Sequence, residues 1–215
     1  MRVCLQPNSK VQDFAKVLLD MGDGKIPEEE GKISISSIFC YTVPDLISLT
    51  HKIYPDIEKA GVHCSSWFKE RAILTPTNEQ ANYINNLLIE KLTTAQAKYQ
   101  SVDQVIELEN AVHYPVEFLH TLNPPGIPPH ILHLKIGSPI MLLRNLNPPK
   151  LCYAMTINKA QGQSLKMVGV DLRGDCFSHG QLYVACSRVS SPDSLIILQP
   201  TKKTKNVVYK EVLSK

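Results

Sequence analysis

The stretch LCYAMTINKAQGQSLKMVGVDL, Leu151–Leu172, joins two apolar runs through a short polar connection. A connection that only reversed the chain direction would need Gly, Pro, Asn or Asp. This one instead carries six side chains that can form hydrogen bonds: Thr156, Asn158, Lys159, Gln161, Gln163 and Ser164. The apolar runs predict strands of an α/β sheet, and such sheets bind ligands at the loops that leave the strand ends. We therefore predict that this loop contacts a ligand. A helix cap with solvated polar side chains is the alternative.

Local signals predict a short helix inside the polar loop. Thr156 can cap the start of this helix, and Gly162 can adopt the left-handed conformation that ends it. The helix follows a predicted strand, Cys152–Met155, and precedes another, Met167–Leu172. Its polar residues are therefore expected at the carboxyl edge of the sheet.

Hydrophobic spacing predicts the remaining elements on both sides of this unit. Four helices are predicted, at Val11–Met21, at Pro44–Ile57 with its end near Tyr54, at Glu79–Leu92 and from Ser178 onward. Further strands are predicted at Gly31–Phe39, Arg71–Leu74 and Leu195–Leu198, with two more around Gly137 within Ile131–Leu143. A proline-rich surface loop is predicted over Asn110–Pro129 and a frayed tail over 201–215. Strands that alternate with helices predict one three-layer α/β domain with a mostly parallel sheet.

The segment SHGQLYVACSRV, Ser178–Val189, has the pattern of a capped helix. Ser178 and Gln181 match a capping box. Helical spacing places Gln181 and Arg188 on one face, opposite a buried stripe that consists of Leu182, Ala185, Cys186 and Val189. An arginine on such a face can bind a phosphate through two hydrogen bonds. The alternative is a surface arginine in a weak ion pair.

Composition and charge exclude several classes of protein. The 215 residues are 43% hydrophobic and 20% charged, which is typical of globular proteins, and they contain no apolar run long enough to span a membrane. The first residues lack the apolar core of a secretory signal, so we expect a nuclear or cytoplasmic protein with reduced cysteines. The net charge of +3 is uneven, since residues 151–215 hold nine basic and four acidic residues. A basic C-terminal third is compatible with phosphate binding.

A metal site is not expected from the sequence. The six cysteines include no C-x-x-C pair. One set of residues, Cys40, His51, His63 and Cys64, contains the right ligand types for zinc but matches no established ligand spacing.

Two segments together resemble a known family. TINKAQGQSL, then a strand, then GQLYVACSRV is similar to motifs V and VI of superfamily-one DNA helicases, most closely the Pif-type helicases, including those of Helitron transposons. Three other blocks agree in order: MRV with the helix after it resembles the end of motif IV, LTPTNEQANYIN resembles a strand–TN–helix segment, and HLKIGSPIMLLRNL resembles another run of the family. The resemblance spans nearly the whole chain. It implies the second RecA-like lobe of an ATP-dependent 5′-to-3′ DNA helicase that serves repair, recombination, replication or transposition.

The resemblance also implies roles for individual residues. The expected contacts to single-stranded DNA come from Thr75, Asn78, Thr156, Asn158, Lys159, Gln161 and Ser164. Arg188 would be the arginine finger of motif VI and Arg2 the arginine of motif IV. Both would act across a cleft on ATP and Mg²⁺ held by the first lobe. Gly162 and Gln181 would lie beside the same nucleotide.

The sequence departs from the family in two places. No G-x-x-x-x-G-K-[ST] phosphate loop occurs in the 215 residues. Between Lys150 and Tyr153 the chain also runs directly into motif V, where the family has an Asn-Gly-Thr segment and a small β-barrel. We therefore expect residues 1–215 to be a truncated second lobe, without the first lobe and the barrel, that neither binds ATP stably nor hydrolyses it alone. The alternatives are a non-enzymatic relic that binds single-stranded nucleic acid and a non-functional product.

Overall fold

A five-stranded parallel sheet forms the centre of the computed structural model, which describes residues 9–35, 39–59, 65–105, 113–122, 129–142, 149–201 and 203–213. The strands are β1 Glu28–Glu29, β2 Lys32–Ser34, β3 Tyr41–Val43, β4 Arg71–Thr75, β5 Gln96–Gln100, β6 Ile131–Lys135, β7 Ile140–Leu142, β8 Pro149–Leu151, β9 Ala154–Thr156, β10 Met167–Asp171, β11 Leu195–Leu198 and β12 Lys203–Thr204. The helices are α1 Ser9–Gly22, α2 Leu46–Ile53, α3 Ser65–Lys69, α4 Asn78–Glu90, α5 Val116–Thr121, α6 Gln181–Cys186 and α7 Lys210–Leu213. Single 3₁₀ turns occupy Ile57–Lys59, Ile157–Ala160 and Pro192–Ser194.

The strand order of the central sheet is β3-β11-β10-β4-β9, and every neighbouring pair is parallel. Parallel neighbours align their carboxyl ends, so the loops after β4, β9 and β10 leave the sheet at one edge. β4 and β9 are the last two strands in this order, and Thr75 at the end of β4 is in register with Thr156 at the end of β9. The predicted α/β class with a parallel sheet is therefore confirmed.

Alternate residues of each central strand enter two different cores, as the period of two in a strand requires. In β4, Ala72 and Leu74 belong to the core under α1 and α6, whereas Ile73 belongs to the core under α2 and α4. The same alternation runs through β10 and β11. The sheet is thus covered by helices on both faces, which is the predicted three-layer arrangement.

Most predicted elements are present, with shifted ends. The helix predicted from Pro44 begins instead at Leu46, because Asp45 accepts a capping hydrogen bond from the Ser48 backbone nitrogen at 2.8 Å. The two strands predicted around Gly137 are β6 and β7. The strand predicted over Gly31–Phe39 is only the three-residue β2 within the described part of that segment.

Two predictions outside the central sheet need correction. The proline-rich stretch predicted as a loop contains the helix α5, which starts directly after Pro115. The tail predicted to fray is packed over part of its length: Thr204 and Asn206 are buried, and Asn206 Nδ2 donates to the Met21 carbonyl at 2.9 Å. In the described ranges no helix is both long and apolar enough to cross a membrane.

Gly169 in β10 allows α2 to lie directly against the sheet. A Cβ atom at this position would lie 2.9 Å from Ile53 Cγ1 and 3.0 Å from Leu49 Cδ1. Both contact atoms belong to fully buried side chains of α2, so neither can move aside into solvent.

Replacing Gly169 by valine should therefore destabilise the fold by about 3 kcal/mol, because the added methyl groups overpack a closed core. Urea unfolding measures this change. Met167→Val is the control, since it places the same β-branched side chain at the half-buried start of the same strand. Equal stability of the two variants would contradict the proposed close contact between α2 and β10.

Candidate nucleic-acid interface

The polar loop lies at the carboxyl edge of the sheet, as predicted. β9 ends at Thr156, and the chain then makes the 3₁₀ turn Ile157–Ala160, in which Ile157 and Ala160 are buried. Gly162 follows with a φ of +82°, and no atom lies within 4 Å of the position that a Cβ would occupy. Its left-handed conformation is confirmed, and this glycine leaves the backbone open to close approach by a ligand. The predicted cap is wrong, because the Thr156 side chain accepts no capping hydrogen bond.

Arg188 holds this loop in place from the side of α6. Its Nη1 donates to the carbonyls of Gln163 at 3.1 Å and Ala160 at 3.3 Å, and its Nε donates to the Val184 carbonyl at 2.8 Å. The Arg188 backbone carbonyl in turn accepts from the Leu165 nitrogen at 2.9 Å. Partial burial lowers the pKa of Arg188 from its ordinary value, but an arginine stays charged at neutral pH. The polar loop 156–164 and the segment 178–189 therefore form one connected unit.

Gln181 connects α6 to the loop after β4. Its Nε2 donates to the Pro76 carbonyl at 3.4 Å, and its Oε1 accepts from the backbone nitrogens of Phe177 at 2.9 Å and Ser178 at 3.4 Å. The Ser178 contact is the one that the predicted capping box requires of its glutamine, but the box does not cap the helix, because α6 begins at Gln181 with Gly180 as its N-cap. The prediction that Gln181 and Arg188 share an exposed helical face is wrong. Gln181 is 2% exposed, and α6 ends at Cys186, before Arg188.

The residues predicted to contact DNA fall into two groups. Thr75 is fully buried and donates its hydroxyl to the Thr77 carbonyl at 2.8 Å, so it shapes the loop after β4. Thr156 is 8% exposed and has the same position in the neighbouring strand. The other predicted residues reach the surface at the same edge, fully or in part: Asn78, Asn158, Lys159, Gln161 and Ser164. Arg2 lies outside the described residues.

An ion pair between a buried aspartate and an exposed arginine, at the end of β10, was missed by the sequence analysis. Asp171 is fully buried, and Arg173 binds its carboxylate with Nη2 at 2.7 Å and Nε at 3.0 Å. The hydrogen bond to Asp171 raises the pKa of Arg173. Arg173 also lines a shallow cavity of about 400 Å³ with Glu79, Gln80, Tyr83 and Gly174. The signal in the sequence was an aspartate directly after a buried apolar run, at a strand's carboxyl end.

The alternative zinc set does not assemble in the described part of the chain. Cys40 is buried in the core on the α1 side of the sheet, where burial raises the pKa of its thiol to about 12. His51 lies on α2, which covers the opposite face. His63 and Cys64 lie outside the described residues.

Comparison with solved structures shows the class of fold. The crystal structure of the Pif1 helicase from Candida albicans is similar with a TM-score of 0.58 and 18% identity over 94% of this chain and 56% of that chain. A structure titled "Crystal structure of Bacteroides Pif1 bound to ssDNA" is similar with a TM-score of 0.51 and 14% identity, over 94% of this chain and 52% of that one. The fold is thus that of a RecA-like helicase lobe, and the chain spans about half the length of these structures.

Comparison of sequences also finds similarity to Pif-type helicases. The family described as "DNA helicase Pif1, 2B domain" matches residues 117–153. The ATP-dependent DNA helicase RRM3 of Saccharomyces cerevisiae is 47% identical over 57 residues, which are 26% of this chain and 8% of that protein. The ATP-dependent DNA helicase Pif1 of Campylobacter jejuni is 48% identical over 56 residues, 26% of this chain and 12% of that protein. The chain is therefore related to the Pif-type DNA helicases.

The 2B-domain match changes the interpretation of the region before the polar loop. It covers α5, β6, β7 and β8, so the chain retains a stretch related to this domain. β6 pairs with β5, and β7 pairs with β8, in two small antiparallel sheets that are separate from the central one. The absence of the family's insertion between Lys150 and Tyr153 remains a prediction.

Proposed function

We propose that this chain forms the part of a Pif-type helicase lobe that binds single-stranded DNA through the polar loop 156–164. The observation that carries this proposal is the way the loop is held. Arg188 anchors its carbonyls from one side, while the side chains of Asn158, Gln161 and Ser164 are exposed at the carboxyl edge of the sheet. A rigid loop that presents donors and an open backbone at Gly162 suits the non-bridging oxygens of a phosphate backbone.

The names of the relatives support DNA as the ligand. The two relatives described above are named ATP-dependent DNA helicases, and one structurally similar Pif1 is described as bound to single-stranded DNA. By this similarity Asn78 would add a contact from the start of α4, where the orphan backbone nitrogens of a helix attract phosphate. The buried hydroxyls of Thr75 and Thr156 would position these loops instead of contacting DNA directly.

A role in ATP hydrolysis is the second part of the proposal. Within these 215 residues no phosphate loop occurs, so ATP and Mg²⁺ would be held by another lobe facing this edge. Arg188 would supply positive charge to that nucleotide, with Arg2, Gly162 and Gln181 close to the same cleft. Unwinding in the 5′-to-3′ direction, in repair, recombination, replication or Helitron transposition, would be the activity of the complete assembly.

A salt titration of binding to a fluorescent oligo-dT tests the DNA-binding part. Single-strand affinity should fall with salt at a log–log slope of about 0.7 per phosphate contact, and Lys159→Ala should reduce the slope by about one contact. Lys166→Ala is the matched control. Lys166 lies at the opposite, amino edge of the sheet and is paired with Glu70 at 2.6 Å, so its loss should leave the slope unchanged.

Three results would refute the proposed DNA interface. These are binding that does not depend on salt, a strong preference for one base sequence, and equal effects of the two lysine variants. The last result would mean that the chain attracts DNA by its overall charge, without using the polar loop.

A further inference from the structure

Asp103, His120 and His130 converge at the loop end of the β5–β6 pair, and none of them belongs to the polar loop. His130 Nδ1 lies 3.2 Å from Asp103 Oδ2, and His120 Nε2 lies 3.8 Å from the same oxygen. One ligand-capable atom from each residue lies within 4.8 Å of both others. The three side chains are partly shielded from solvent, with His130 the most buried at 14% exposure. None of these residues has a role in the proposed DNA site.

The distances from the two histidine nitrogens to Asp103 Oδ2 are close to those between two ligands of one small metal ion. Zinc holds nitrogen and oxygen ligands at about 2.0–2.2 Å in a tetrahedron, which separates the ligand atoms by roughly 3.4 Å. The two distances to Asp103 Oδ2, 3.2 and 3.8 Å, lie on either side of that value. Ser101 Oγ donates to Asp103 Oδ2 at 2.8 Å and so orients the carboxylate, as partners of metal ligands commonly do.

The second observation concerns α5, which carries His120. No residue of this helix is buried, and Val116 and Phe118 are 48% and 45% exposed. A six-residue helix is too short to be stable by itself in water and needs an external contact to hold it. The ring of His120 stacks on that of His130 at 3.6 Å between centroids, and this contact directs the helix toward the β5–β6 hairpin. A metal bound by both histidines would provide the missing attachment.

We infer that Asp103, His120 and His130 form a binding site for one divalent transition-metal ion of the zinc class, which fastens α5 to the β5–β6 hairpin. Two imidazoles and one carboxylate favour zinc over magnesium or calcium, which take oxygen ligands. The fourth position remains for water. In the present arrangement the ring planes are 18° apart, so the in-plane nitrogen lone pairs do not both point at one ion, and metal binding requires one ring to rotate out of the stack. Binding also exchanges the hydrogen bonds of His130 Nδ1 to Ser101 Oγ and Asp103 Oδ2 for a bond to the ion.

Calorimetric titration of the chelator-treated chain with Zn²⁺ alone tests this site. We expect one equivalent to bind and to raise the melting temperature, since a ligand of the folded state stabilises it. His130→Ala and the nearly isosteric Asp103→Asn should each weaken binding by at least tenfold. His133→Ala is the matched control, because His133 lies in the same hairpin, is exposed and contacts Gln96 instead of the cluster. Circular dichroism of each variant confirms that it is folded.

Co²⁺ distinguishes this site from a cysteine site elsewhere in the chain. Nitrogen and oxygen ligands give a visible Co²⁺ spectrum without the near-ultraviolet sulfur-to-cobalt band that thiolates produce. That band, an absence of zinc binding by the unmodified chain, or undiminished binding by both cluster variants would each overturn the inference. Equal losses in His133→Ala and the cluster variants would do so as well.

Discussion

Arg188→Ala is expected to lower ATP turnover by roughly 10³- to 10⁵-fold in a two-lobe helicase that joins this chain to a lobe carrying a phosphate loop. A guanidinium placed across the cleft stabilises negative charge that develops on the transferring phosphoryl group, and alanine supplies none. DNA affinity should fall far less, by about tenfold at most, because alanine frees the loop carbonyls that Arg188 anchors but leaves the side chains proposed to contact DNA in place. Turnover with saturating single-stranded DNA and the dissociation constant for the same strand are measured on the same preparation.

The hydrogen bonds of Arg188 limit how many of its N–H groups can reach a phosphate. Four hydrogen bonds join its guanidinium to Val184, Ala160, Gln163 and Ser187. A guanidinium has five N–H donors, so at most one is left for a phosphate unless the contacts to the loop are exchanged. We therefore expect Arg188 to release one or both loop carbonyls when ATP is present. The same residue would then couple the nucleotide to the loop that binds DNA.

Gln161→Ala should have the opposite effects on DNA affinity and ATP turnover. It removes an exposed side chain from the loop without touching Arg188, so it should weaken DNA binding and leave turnover at saturating DNA nearly unchanged. Arg188→Lys adds a third comparison, because lysine keeps the charge but cannot bridge two carbonyls. If Arg188→Ala lost DNA affinity and kept turnover, Arg188 would serve only to anchor the loop, and the finger would have to be sought in another residue.

The parallel sheet and the ligand edge were predictable from the sequence because their signals are local. Apolar runs such as Arg71–Leu74 and Leu195–Leu198 identify buried strands, and a polar stretch after a strand identifies the edge where ligands bind. Strand order follows from the same pattern only in part. No local pattern predicts that Thr75 pairs with Thr156. This pairing depends on the register between two strands whose paired residues are 81 positions apart in the sequence.

The burial and the contacts of the side chains at the site were less predictable than the positions of these residues at strand and helix ends. Thr75 was predicted to contact DNA, yet it is buried, because both faces of the sheet are covered and Thr75 still lies within β4. Gln181 was predicted on an exposed face, but its amide reaches back to the backbone nitrogens before the helix and forward to Pro76. Both outcomes depend on contacts with a second segment, which helical or strand spacing cannot supply.

Weak periodicity explains the elements that were missed. α5 has no buried stripe, so no hydrophobic period exists to predict it. β12 is only two residues long and is held by its pairing with β2 and by the buried Asn206 beside it. Asp171 and Arg173 lie two residues apart and form their ion pair where β10 ends, with the aspartate buried and the arginine partly exposed. Hydrophobic spacing gives no signal for any of these three features.

Asn85→Ala is expected to destabilise the chain by about 3 kcal/mol and to loosen the strand that carries the polar loop. β9 is the last strand of the described parallel sheet, so its outer edge has no neighbouring strand. The buried side chain of Asn85 takes that place: its Nδ2 donates to the Ala154 carbonyl at 2.9 Å, and its Oδ1 accepts from the Ala154 nitrogen at 2.8 Å. Alanine would leave two buried backbone groups without these partners, each costing about 1–3 kcal/mol.

Asn86→Ala is the matched control, because the next residue of α4 is also asparagine but is exposed. It should change the free energy of unfolding by less than about 0.5 kcal/mol, since substitutions on the surface of a helix are nearly neutral. Urea unfolding compares the two variants, and hydrogen exchange at the Ala154 amide reports the edge directly. Exchange there should accelerate in Asn85→Ala alone. Because β9 ends at Thr156, a loosened edge should also weaken oligo-dT binding in Asn85→Ala at temperatures where the variant is still folded. Unchanged exchange and unchanged affinity would mean that the polar loop is held by Arg188 without help from β9.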